Sequence, residues 1–96
     1  MEEWSDGSKF VGEYKLGMRD GKGKFRFKDG CTYEGEFKAN SITGQGVYDW
    51  TDGRKYTGGW KDNKMHGSGT LTWPDGKEYV GDFIEDRKQG QGTFTW

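Results

Sequence analysis

Twenty-three residues after almost any landmark in this chain, the landmark returns. Asp-Gly falls at Asp6-Gly7, Asp29-Gly30, Asp52-Gly53 and Asp75-Gly76. An aromatic follows each time, at Phe10, Tyr33, Tyr56 and Tyr79, with a glycine two residues on, at Gly12, Gly35, Gly58 and Gly81. A second aromatic comes next, at Tyr14, Phe37, Trp60 and Phe83. Then Gly-x-Gly appears, at Gly21/Gly23, Gly44/Gly46, Gly67/Gly69 and Gly90/Gly92. A pair of large apolar residues closes the unit: Phe25/Phe27, Tyr48/Trp50, Leu71/Trp73, Phe94/Trp96. Self-similarity at a fixed period of this length is the mark of a repeat array. The chain therefore reads as a single array over residues 1–96. It has a partial unit at 1–9, full units at 10–32, 33–55 and 56–78, and a truncated unit at 79–96.

Inside a unit the period is two. In Tyr33-Glu-Gly-Glu-Phe37 the ring and glycine positions alternate with carboxylates, which is the pattern of a half-buried strand. Glycine at so many fixed positions argues against helix, at about 1 kcal/mol each relative to alanine. Two connections alternate along the chain. The Asp-Gly segments, such as Trp73-Pro-Asp-Gly-Lys-Glu-Tyr79, carry tight-turn chemistry. Segments such as Lys38-Ala-Asn-Ser-Ile-Thr-Gly44 read as looser polar loops. The expected fold is all-β, an elongated single-layer meander of antiparallel hairpins with about two strands per unit. Glycines inside strands are tolerated where something lies close to the backbone. Phe37, Trp60 and their equivalents are expected to rest over the Gly-x-Gly columns.

Composition fits an aromatic core. Leu, Ile, Val and Phe supply only 13 of 96 residues, yet aromatics make up 17%. Rings recurring in columns are not the mark of a disordered tract. Fifteen basic and 16 acidic residues give a net charge of -1, with no global pull toward nucleic acid. One cysteine allows no internal disulfide, and Cys31 is expected to be an exposed thiol in a turn. No apolar run approaches the roughly 18 residues of a spanning helix, and the first residues do not resemble a secretory signal. The expected location is the cytoplasm.

The columns Tyr-x-Gly-x-aromatic, Gly-x-Gly, aromatics and Asp-Gly resemble the MORN (membrane occupation and recognition nexus) repeat. The nearest unit is Tyr56-Thr-Gly-Gly-Trp60-Lys-Asp-Asn-Lys-Met-His-Gly67-Ser-Gly69. The resemblance runs from Trp4 to Trp96. Gly59 departs from it where Glu13, Glu36 and Asp82 are acidic, and Leu71 departs where an aromatic is usual. It implies a twisted sheet of hairpins with an aromatic-lined groove, serving as a scaffold in cytoskeletal, ciliary or membrane-junction settings. It also implies a role in docking partner segments or lipid.

Candidate sites follow from the columns. The expected partner-binding face comprises Tyr33, Phe37, Tyr48, Trp50, Tyr56, Trp60, Trp73, Tyr79 and Phe83, with Trp96 at its end; Trp50 and Trp73 are the expected contact residues. A single layer cannot cover all its rings, and exposed contiguous aromatics mark a partner surface. The expected function is thus a non-enzymatic protein-interaction scaffold in a cytoskeletal or ciliary assembly. The alternative is a peripheral membrane module. In it Lys24, Arg26 and Lys28, expected on one strand face and extended by Lys22, meet anionic phospholipid on the cytoplasmic face of a membrane or an acidic partner. His66 is the only histidine and stands in a variable column, so no catalytic, metal or cofactor site is expected. Glu13, Glu36 and Asp82 are expected to pair with lysines across strands. Both ends stop on a tryptophan column without a polar cap. Two expectations follow: the chain is a fragment of a longer array, or a homodimer or end-to-end assembly covers the ends.

Overall fold

The computed structural model describes residues 2–96, the side chains of Gln89 and Gln91 excepted. Nine strands form one antiparallel sheet in simple sequential order. They are β1 (Glu2–Glu3), β2 (Lys9–Lys15), β3 (Met18–Arg26), β4 (Thr32–Lys38), β5 (Ser41–Asp49), β6 (Lys55–Lys61), β7 (Lys64–Thr72), β8 (Glu78–Ile84) and β9 (Arg87–Thr95). The fold is the all-β meander expected of the sequence, elongated to 41 × 24 × 16 Å.

The turns reverse one expectation. Lys38 to Gly44 is not a loose loop. Ala39 and Asn40 both adopt positive φ (48° and 72°), and Ser41 already begins β5. This is the two-residue mirror turn whose twist matches that of the strands it joins. Leu16-Gly17, Asp62-Asn63 and Glu85-Asp86 repeat it, again at positive φ. The Asp-Gly connections are the longer ones. Trp73 N donates to Lys77 O at 3.0 Å, enclosing Pro74, Asp75 and Gly76, and Gly76 sits at φ 95°. The Asp75 carboxylate accepts the Lys77 N–H at 3.1 Å. The Trp50–Arg54, Phe27–Cys31 and Trp4–Ser8 closures match it.

Register places like with like. Gly12, Gly23, Gly35, Gly46, Gly58, Gly69, Gly81 and Gly92 stand opposite one another in a single row crossing β2 to β9. Beside it runs a row of large side chains: Phe10, Phe25, Tyr33, Tyr48, Tyr56, Leu71, Tyr79 and Phe94. Phe10, Tyr33, Tyr56 and Tyr79 lie down over the glycines. A Cβ built on Gly46 would strike the Tyr33 ring, and one on Gly69 the Tyr56 ring. The rings over the glycine row are thus those of the first aromatic column. Phe37 and Trp60, expected there, instead stand edge-on to them at 86° and 90°. This resolves how one layer holds a core. The recumbent rings are a second layer of their own, and Phe10, Tyr33 and Tyr56 are wholly buried. Burying a ring of this size stabilises by roughly 2–3 kcal/mol.

A bulge follows each recumbent ring. Register shifts between Gly12 and Tyr14, Gly35 and Phe37, and Gly58 and Trp60 set Glu13, Glu36 and Gly59 singly against residues 20–22, 43–45 and 66–68, so the extra residues lie on β3, β5 and β7. The bulge carboxylates do not pair with lysines. Glu13 accepts the Lys22 N–H at 3.1 Å, and Glu36 accepts the Gln45 N–H at 2.6 Å. They satisfy amides that the bulge disturbs, a stronger demand than a solvated ion pair. At Asp82 the partner is the Ser68 hydroxyl, 3.2 Å away. Gly59 needs no carboxylate but does need its missing Cβ, which would meet the His66 carbonyl.

Candidate functional site

One face of the sheet is aromatic from end to end. Trp4 stacks on Phe25 (5.5 Å between centroids), Phe25 on Phe27 (4.7 Å), Phe27 on Tyr48 (5.5 Å) and Tyr48 on Trp50 (4.7 Å). Leu71 interrupts the series. It resumes with Trp73 on Phe94 (5.3 Å) and Phe94 on Trp96 (5.0 Å). Trp4, Phe27 and Trp73 each reach forward to a ring of the next unit, so the rings run along the array and not in isolated pairs.

The expected contact residues divide by burial. Tyr33, Phe37, Tyr56, Trp60, Tyr79 and Phe83 are buried and hold the sheet together. Tyr48, Trp50 and Trp73 are half-buried, packed against that core with one side open. Trp4, Phe25 and Phe27 share their condition and were not singled out by the sequence. The signal was there in the closing column, since the residues of that column face outward beyond the recumbent rings. Trp96 is 82% exposed. At the other end the ring row terminates in Glu2, which stands opposite Phe10 and accepts the Tyr14 hydroxyl at 2.7 Å.

Burial sets the phenol chemistry. It pushes Tyr33, Tyr48 and Tyr56 each up to about 12. Tyr33 donates to the Glu36 carbonyl and Tyr56 to the Gly59 carbonyl, both at 3.0 Å. Tyr33 and Tyr56 thus each span a glycine and end on the residue opposite the bulge. Cys31, expected exposed, is 4% exposed in its turn. Cations rest on the outer rings. Arg54 lies 4.9 Å over Trp50 while its Nε donates to Asp52 at 2.8 Å.

The opposite face carries the basic residues. Lys22, Lys24 and Arg26 project from β3 and are exposed. Lys28 lies past the strand, in the turn, and not on the strand face expected of it. Lys22 stands opposite Glu36 and Lys24 opposite Glu34. On the other flank Arg26 stands opposite Lys9, a residue that its sequence column alone does not mark. Lys9, Lys24 and Arg26 line one shallow hollow with Val11 and Thr32. Among the described residues no group of three or more His, Cys, Asp or Glu could hold a metal ion. No helix among them is long and apolar enough to cross a membrane.

Hairpins of one form, registered glycine on glycine, define a β-meander repeat array whose outer surface is aromatic on one side and charged on the other. The chain belongs to the MORN repeat family, which it matches at residues 10–32, 33–53, 56–78 and 79–96. MORN repeats are in general interaction motifs for proteins or membranes. No curated protein matches the chain significantly.

Proposed function

We propose that the chain is a non-enzymatic protein-interaction scaffold whose aromatic face receives a segment of a partner. One observation carries the reading: rings packed in two runs along one face, on either side of Leu71, stay half-open where a core would close them. Large rings with one side desolvated supply the anchors of protein interfaces. Tyr48, Trp50 and Trp73 are the central contacts, with Phe25 and Phe27 beside them. A cytoskeletal or ciliary assembly in the cytoplasm is the setting proposed, and it rests on the family resemblance alone. The direct test is partner capture by the folded protein. Trp50→Ala and Trp73→Ala are expected to weaken capture at least ten-fold, about 1.4 kcal/mol or more. Lys24→Glu is expected to change it far less. Undiminished capture by both tryptophan variants would remove the aromatic face from the proposal.

A second reading has its own support on the charged face. Lys9 directly opposite Arg26 is a like-charge pair, which is destabilising unless an anion relieves it. Lys24 lies beside them. Anionic phospholipid is the ligand this reading assigns. Three cations at about 1 kcal/mol each would give salt-sensitive adhesion to an anionic leaflet. Co-sedimentation with neutral and phosphatidylserine-containing vesicles tests it. The expected result is anionic-only binding, lost in a Lys9→Glu/Arg26→Glu variant. Equal sedimentation with neutral vesicles would eliminate it.

A further inference from the structure

From the charges on the aromatic face we infer that its partner segment is an amphipathic helix, with a carboxylate at each end of its apolar stripe. The inference rests on the proposal that this face is the docking face, and concerns what it accepts.

The row that flanks the ring row along the turn side of β3, β5, β7 and β9 reads Arg19, Ile42, Met65, Lys88. Each stands opposite a ring of the second aromatic column: Tyr14, Phe37, Trp60 and Phe83. The two middle places are apolar, and Ile42 is buried. The two outer places are cations laid on rings. The Arg19 guanidinium carbon lies 5.1 Å from the centroid of Phe25 and 5.9 Å from that of Trp4. Lys88 Nζ lies 4.9 Å from Tyr79 and 5.1 Å from Phe94.

Neither cation has a carboxylate partner among the described residues. The ion pairs among the described residues are Arg54–Asp52 and Lys77–Asp75, both within an Asp-Gly turn. Glu2 is taken by the Tyr14 hydroxyl, and Asp86, two residues from Lys88, by the Met65 N–H. Arg19 makes one long hydrogen bond, 3.4 Å from Nη2 to the Asn40 carbonyl, and its Nε is buried with no acceptor. Two uncompensated cations bracketing an apolar stretch are complementary to carboxylates bracketing an apolar stretch.

Spacing and backbone chemistry choose the conformation. From β3 to β9 is six strand steps, about 29 Å at roughly 4.8 Å per step. That fits within the 41 Å long axis. The open face of a sheet offers side chains and no free N–H or C=O, since these are spent in the ladders. An extended partner crossing it would gain no backbone pairing. A helix satisfies its own backbone, and about 29 Å is about 19 residues of helix. Positions 18 apart fall five turns along the same face, so both carboxylates point to the cations with the apolar stripe between them.

Three synthetic helices test this. They share one Leu/Met/Phe stripe and carry Glu, Gln or Lys at two positions 18 apart; binding to the full chain is read by fluorescence anisotropy. The Glu peptide is expected to bind about ten-fold more tightly than the Lys peptide, with Gln between them. Lys88→Glu, an exposed change, is expected to narrow that gap, and Trp50→Ala to weaken all three peptides. Equal binding of the three, or the reverse order, overturns the inference and leaves the docking face standing. Binding that Trp50→Ala leaves untouched, or none up to about 1 mM in folded protein, overturns both.

Discussion

Tyr33 and Gly46 show how two columns of the repeat become one structural device. The ring needs a floor without a Cβ, and the floor needs a ring to cover its backbone. Gly46→Ala places a methyl in the Tyr33 ring. The ring cannot yield, because Phe37 and Trp60 stand against it at 5.3 and 5.5 Å. Overpacking of this kind costs about 3 kcal/mol, readable as a shift of the urea midpoint with the slope unchanged. Tyr33→Phe keeps the ring and loses the hydroxyl's bond to the Glu36 carbonyl and its longer one, 3.4 Å, to the Gln45 carbonyl, so about 1 kcal/mol is expected. The hydroxyls also set an alkaline limit. Tyr33, Tyr48 and Tyr56 are each raised from 10.0 to about 12. The folded state therefore holds protons that the unfolded chain has released. Stability is intact below pH 10 and is lost as pH rises from 10 through 12. Phenolate absorbance and sheet circular dichroism should change together in that window. Phenolate absorbance of all five tyrosines, complete near pH 10 with the sheet intact, would contradict the buried placement.

At the scale of the element, two turns do different work. The mirror turns tie neighbouring hairpins together: the Asn63 side chain accepts the Ile42 N–H at 2.8 Å, while the Asn63 N–H donates to the Ile42 carbonyl at 3.0 Å. Asn40 holds Arg19, and Asp86 holds Met65, in the same way. The Asp-Gly turns close on themselves. Backbone N–H groups of Ser8, Cys31, Arg54 and Lys77 hold the Asp6, Asp29, Asp52 and Asp75 carboxylates below their usual 3.8. A depressed carboxylate contributes stability above its unfolded pKa and loses it as pH falls through its folded one. The thermal midpoint should thus be level above about pH 5 and fall below about pH 4. Asp52→Asn should flatten part of that fall. The strands were legible from the sequence because alternation and register are both written in the columns. The mirror turns were not. Ala39 and Leu16 have no preference for positive φ, and Ser41-Ile42-Thr43 reads as loop composition. The usable signal was the column Gly17, Asn40, Asn63, Asp86, whose members all tolerate that backbone. Nor does alternation say which of two rings on one face lies down. That depends on the β5 bulge opposite Glu36, where the register shifts before Phe37 and the Glu36 carbonyl accepts the Tyr33 hydroxyl.

The whole molecule is held as a line, and the line has identifiable couplings. The second ring of each unit wedges edge-on against the first ring of its own unit and that of a neighbour. Phe37 meets Phe10 at 5.1 Å, Trp60 meets Tyr33 at 5.5 Å, and Phe83 meets Tyr56 at 5.1 Å. A repeat array is stable as a sum of unit terms and nearest-neighbour terms, and it unfolds as one body only while the neighbour terms dominate. Trp60 is the central wedge, 7% exposed. Trp60→Ala removes the edge contacts to both Tyr33 and Tyr56 and leaves a cavity, at about 3–5 kcal/mol. The hydrogen-bonded ladder between β5 and β6 remains, so the halves stay joined but couple less. Equilibrium unfolding followed by ring fluorescence and by hydrogen exchange should then separate into two transitions, one for β2–β5 and one for β6–β9. Trp50→Ala is the comparison, because Trp50 packs on the outer row and wedges no pair of recumbent rings. It should lower stability less and keep a single transition. If Trp60→Ala also unfolds in one step, with every amide tracking the same free energy, cooperativity resides in the backbone ladder and not in the rings. The same pair of variants distinguishes the two aromatic rows, because the inner row decides whether the array unfolds as one body while the outer row is left free to meet a partner.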